Sequence, residues 1–178
     1  MEAILQSIQN RFFEKEKYFI EFAKADTRIE GWFKAELILL LNELREQGKV
    51  ENFKREAPNK SHTGHKKIDF NICLKGEKHL CELKALCISQ ADNTPRNLNF
   101  YFKEDDVGMI KDFRILDSLP GKNKWVLGFI YPKPTSSDWD KAIRLLPLNL
   151  QHWQCITNLQ DFPAYLFISV WKSGIRDS

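Results

Sequence analysis

Between Lys67 and Leu86 the chain alternates apolar and polar residues on either side of a glycine, a period of two that no helix satisfies. In the first half Ile68, Phe70 and Ile72 fall on one face and leave Asp69 and Asn71 on the other. In the second half Cys81, Leu83 and Ala85 share one face, with Glu82 and Lys84 opposite. Leu74-Lys75-Gly76-Glu77 reads as a two-residue turn with glycine second, so Leu74 faces Glu77. Counting outward in that register sets Asp69 directly across from Glu82, and directly opposed residues point to the same face.

Two carboxylates side by side repel each other unless a cation lies between them or one takes a proton. A divalent metal resolves the conflict, and magnesium, which prefers oxygen ligands and keeps several waters, needs little beyond two carboxylates, a backbone carbonyl and a substrate phosphate. Lys84 lies two residues beyond Glu82 on the same side, where an ammonium can orient an attacking water and stabilise charge developing on a phosphate. The structural alternative is an exposed hairpin whose polar face carries a cross-strand salt bridge.

A second oddity lies upstream. From Gly31 to about Gln47 the residues Trp32, Phe33, Leu37, Leu40, Leu41 and Leu44 follow the helical period, and Gly48 ends the run. Glu36 sits four residues after Trp32 and four before Leu40, inside the apolar stripe, where an ionisable group is costly without a partner. Packing this helix on the sheet is expected to deliver Glu36 to the same metal; Glu30 and Glu43 are the alternative helix acids.

The remaining pattern places these parts in order. Residues 3 to about 24 form one helix or two short ones, and strands are expected at Val50–Glu56, Lys67–Leu74 and Lys78–Leu86, with a polar loop at Pro58–Lys66. Ser89–Phe102 is irregular, Glu104–Leu119 is a helix, and Lys124–Tyr131 is a buried strand. A weaker helix at Ser137–Leu146 and a strand at Ala164–Trp171 complete the chain. The expectation is one α/β domain over residues 1–178: a helical lead-in at 1–27, a core at about 30–131, and a helix-and-strand extension at 132–178.

Ile68-Asp69, twelve residues, then Glu82-Leu83-Lys84, behind a helix bearing Glu36, resembles the PD-(D/E)XK nuclease superfamily. That family has a restriction-endonuclease-like core, a central mixed sheet flanked by helices in α-β-β-β-α-β order. The resemblance covers roughly residues 30 to 131, with Ile68 standing where the family's eponymous proline would be. It implies that Asp69 and Glu82 hold the metal, that Lys84 is the catalytic lysine, and that Glu36 supports the metal or its water. It also implies a Mg2+-dependent endonuclease, with Mn2+ as a substitute, acting on nucleic acid with DNA favoured over RNA, in restriction, defence or repair. A homodimer is expected by analogy, because cutting both strands of a duplex suits paired sites. The alternative is a catalytically inactive nucleic-acid-binding or accessory protein of the same fold.

A net charge of +3 permits a polyanionic partner without demanding one. The longest uninterrupted apolar run, Leu37 to Leu41, is too short to span a membrane, and the N-terminus lacks a basic start followed by an apolar stretch, so a cytoplasmic protein is expected. Four cysteines without paired close spacing suggest buried thiols, and His62 and His65 read as part of a polar loop. Lys54, Arg55, Arg96 and Lys103 are candidate phosphate contacts, Phe100-Tyr101-Phe102 candidate stacking residues, and Gln90 an accessory polar group. Trp139, Trp153 and Trp171 are expected to pack the C-terminal part.

Overall fold

The computed structural model describes residues 1–61, 64–88, 98–103, 108–146, 153–155 and 165–173. Three helices lead: α1 (Glu2–Phe13), α2 (Glu16–Lys24) and α3 (Glu30–Glu46). The strands β1 (Asn52–Ser61), β2 (Gly64–Leu74) and β3 (Glu77–Cys87) follow. A short helix α4 (Leu98–Tyr101) and α5 (Met109–Asp117) then lead into β4 (Lys124–Tyr131), and α6 (Ser136–Ile143), β5 (Trp153–Cys155) and β6 (Phe167–Ser173) close the chain. The protein is of the α/β class, with one mixed sheet in the order β1-β2-β3-β4-β6-β5, the last strand in that order only three residues long. No helix among the described residues is long and apolar enough to cross a membrane.

Helix α3 forms where the apolar stripe predicts and stops at Gly48, whose φ of 71° only glycine adopts freely. The Lys75-Gly76 turn has positive φ at both positions, 50° and 74°, the geometry that matches strand twist in a two-residue hairpin. The register is the expected one, Leu74 opposite Glu77 and Phe70 opposite Cys81. Strand β4 lies parallel to β3, joined through α5, and β6 runs antiparallel on its far side.

Two apolar layers enclose the sheet. One joins Ile4, Ile8, Phe12 and Phe19 from the leading helices to Phe33, Leu37 and Leu41 of α3 and to Phe70, Cys81, Leu83, Leu127 and Phe129. The other gathers Met109, Phe113 and Leu116 of α5 with Leu80, Leu86, Val126, Trp139 and Trp171. Both Trp139 and Trp171 are thus core residues, as expected; the side chain of Trp153 lies outside the described residues.

Two expectations about the hairpins need correction. Pro58–Ser61 and Gly64–Lys66 are strand rather than loop: β1 and β2 continue paired from Ala57↔Ile68 out to Ser61↔Gly64, as the outer half of a second hairpin. Proline is tolerated there because β1 is the sheet's edge strand. Nor do Ile68, Phe70 and Ile72 serve one layer. Phe70 and Ile72 pack under α3, whereas Ile68 packs with the α5 layer. The pairing skips Glu56 and Asp69, and Glu56 has a φ of 47°, so the ribbon changes face there. His62, Gln90, Arg96 and residues 104–107 lie outside the described residues, and His65 stands on β2 opposite Lys60.

Candidate active site

Strands β2 and β3 pair only from Phe70↔Cys81 to the turn. Beyond that point β2 continues with β1 alone, while β3 continues with β4 as far as Cys87↔Tyr131. The strands therefore part like a wedge, and the backbone donors of β3 facing the opening lose their ladder partners. Asp69 fills one vacancy: its Oδ2 accepts the Leu83 N–H at 2.9 Å. Glu82 reaches back, its Oε2 lying 3.4 Å from the Asp69 N–H. The two acids expected to oppose each other are brought together at the apex of the wedge.

Helices wall the apex on both sides. From α3, Lys34 contacts Asp69 Oδ1 at 2.9 Å and Glu30 at 3.0 Å, a bridge between helix and strand. From the first turn of α5, Asp112 holds the Lys84 ammonium at 3.0 Å. The N-terminus of α3 is itself pinned to β4, for the Tyr131 hydroxyl accepts the Ile29 N–H at 3.1 Å and donates to the Thr27 carbonyl at 2.5 Å. A cavity of about 200 Å³ opens beside the cluster, lined by Arg28, Glu30, Lys84, Phe100, Tyr101 and Tyr131 among others.

The electrostatics are those of crowded acids. Burial, then the charge of Asp69 and more distantly that of Asp112, pushes the Glu82 carboxyl up to about 9. Burial also raises Asp112, against the lowering pull of Lys84.

Glu36 does not belong to this cluster. Its carboxylate is held at 3.0 Å by Arg11 of α1 and at 3.3 Å by Lys15 just beyond it. The buried helix acid finds its partners on and just beyond the leading helix α1. Glu30, one of the two alternatives, is the α3 acid at the wedge. Lys34 and Asp112 were missed, yet Asp112 carried the same signal as Glu36, sitting three residues after Met109 and four before Leu116 in an apolar stripe.

No group of three histidine, cysteine or acidic side chains among the described residues is arranged to hold a metal ion by itself. Two carboxylates nonetheless fit a cation that retains most of its water, which would offset the burial and the Asp69 charge that together raise Glu82. Phe102 and Tyr101 are buried in the core, with the Tyr101 hydroxyl donating to the Cys87 carbonyl at 2.8 Å, so of the aromatic run only Phe100 and the ring of Tyr101 meet the cavity. No family model matches the chain, and neither a curated protein nor a solved structure matches it.

Proposed function

We propose that the protein is a magnesium-dependent nuclease with a restriction-endonuclease-like core, acting at the wedge between β2 and β3. The carrying observation is the convergence of Asp69 and Glu82 where β2 and β3 part, with Asp69 Oδ2 on the Leu83 N–H at 2.9 Å and Glu82 Oε2 3.4 Å from the Asp69 N–H, beside Lys84, which lines an open cavity. The order α3, β1, β2, β3, α5, β4 supports the reading, since it is the α-β-β-β-α-β order of the PD-(D/E)XK nucleases.

Asp69 through Oδ1 and Glu82 would hold the cation, with Lys34 giving up its contact to Asp69. The cation would supply Lewis-acid polarisation of the phosphate and a more acidic bound water. The chain's own groups do the rest. Lys84, on the next turn of the pleat from Glu82, presents a positive charge to the phosphate oxygens as they gain charge. Asp112 is a positioning residue: it holds the lysine's ammonium at 3.0 Å. The Leu83 N–H fixes the rotamer of Asp69, so the ligand is already oriented before a cation arrives.

The test is cleavage of single- and double-stranded DNA and RNA by purified protein with magnesium or manganese. Asp69→Asn, Glu82→Gln and Lys84→Met are each expected to cut at least about a hundredfold more slowly than the parent. Absence of cleavage on every substrate, or variants as fast as the parent, would overturn the proposal.

A further inference from the structure

Charge is concentrated where the sheet ends. Residues 52–68, the two strands of the outer hairpin and their connection, carry Lys54, Arg55, Lys60, Lys66 and Lys67 against a single acid, Glu56. The chain's whole surplus is only +3, so outside this ribbon acids outnumber cations. Lys54, Arg55, Lys60 and Lys67 are exposed. The Arg55 guanidinium meets Glu56 at 2.9 Å, and the four lysines form no ion pair among the described residues.

Consecutive residues of a strand point to opposite faces, so Lys66-Lys67 set one cation on either side of the outer half of the ribbon, with Lys54-Arg55 at its base. Cations on both faces serve little on a flat anionic surface; they suit a groove with a phosphate wall on each side. The ribbon is also braced. Asn59, 5% exposed, donates to the Ala57 carbonyl at 2.8 Å, and its Oδ1 accepts from Lys78 at 2.6 Å and from Asn71 at 3.2 Å. A stiffened element loses less freedom on binding.

We propose that the β1–β2 ribbon docks in the major groove of B-form DNA and so presents a duplex to the wedge. The ribbon separates from β3 at Asp69 itself, and its outer half, Ala57 to Ser61 on β1, extends about 16 Å at about 3.3 Å per residue. The major groove of B-DNA is about 12 Å wide and about 8.5 Å deep and admits a two-stranded ribbon. The deep, narrow major groove of A-form RNA does not. The choice of duplex rests on the nuclease reading only in linking docking to cleavage; the docking itself stands on charge and shape.

The experiment measures binding of the full chain to a labelled random-sequence DNA duplex, the matching single strand and an RNA duplex, in EDTA, over a range of salt. The expected result is preference for the DNA duplex, and a salt slope that falls by about four when Lys54, Arg55, Lys60, Lys66 and Lys67 are all changed to Gln, and by about two for Lys66→Gln with Lys67→Gln alone. Circular dichroism and gel filtration check that each variant stays folded and monodisperse. As a second readout that leaves most of the charge in place, Lys60→Cys is expected to cross-link to a duplex carrying a thiol tether in the major groove and not in the minor groove. An unchanged slope, equal or tighter binding to RNA or single strands, or a neutralised ribbon that self-associates while keeping its affinity would overturn the proposal, the last marking the lysines as edge protection. Ribbon-dependent duplex binding without cleavage would sustain it and sink the nuclease; cleavage indifferent to the ribbon would do the reverse.

Discussion

Glu82 shows how burial and one neighbouring charge act on a single residue. Its carboxyl titrates near 9 in the folded chain against 4.5 as the ordinary value, so the unfolded chain releases this proton first. The stability Glu82 contributes is therefore complete below about pH 4.5 and is lost as the pH rises toward 9. Cation-free protein is expected to melt at a lower temperature near about pH 9 than near about pH 5, and Glu82→Gln to flatten that slope. Magnesium should protect most at the alkaline end, where it takes the proton's place. Thermal melts across pH, with and without the cation, check both statements; a parent and variant with identical profiles would remove the basis for a strained carboxylate pair.

At the scale of elements, α1 and α3 are tied through charge as well as through Phe12 and Phe33. Arg11 spans two turns of α3, contacting Glu36 at 3.0 Å and Glu43 at 2.8 Å. Glu36→Gln is expected to cost about 1–2 kcal/mol in denaturant unfolding, because Arg11 keeps Glu43 and Lys15 can turn to water. Cleavage per folded molecule should not change. Loss of metal-dependent activity at parental stability would return Glu36 to the metal site. The contrast between this residue and Asp69 shows what the sequence makes legible. Strand parity and a glycine turn are local, so the placement of Asp69 against Glu82 follows by counting. The partner of a helix acid is a tertiary fact: Glu36 and Asp112 carry the same pattern, and nothing near either one tells a neighbouring helix from a catalytic strand. The outer hairpin escaped for a similar reason, since Pro58, Asn59 and Lys66 look like loop residues until an edge strand gives them a role. The three-residue β5 has too few residues to show any period.

For the whole molecule, the leading helices are part of one core rather than an appendage to it. Ile4, Leu5, Ile8, Phe12 and Phe19 are all buried in the layer that contains Phe33 and Phe129. At about 2 kcal/mol for each large apolar side chain, their loss is comparable to the entire stability of a domain, about 5–15 kcal/mol. A chain beginning at residue 28 is expected to show no cooperative unfolding transition by calorimetry. A cooperative transition near the parental temperature would make residues 30–131 and their extension self-sufficient.

The Lys34 bridge bears on how such a site would fill. One oxygen of Asp69 is committed to the Leu83 amide and the other to an ammonium anchored by Glu30, so the seat is guarded by a resident cation of the protein's own. An incoming ion would not fall into an open bowl; it would evict a tenant, and helix α3 would register the exchange.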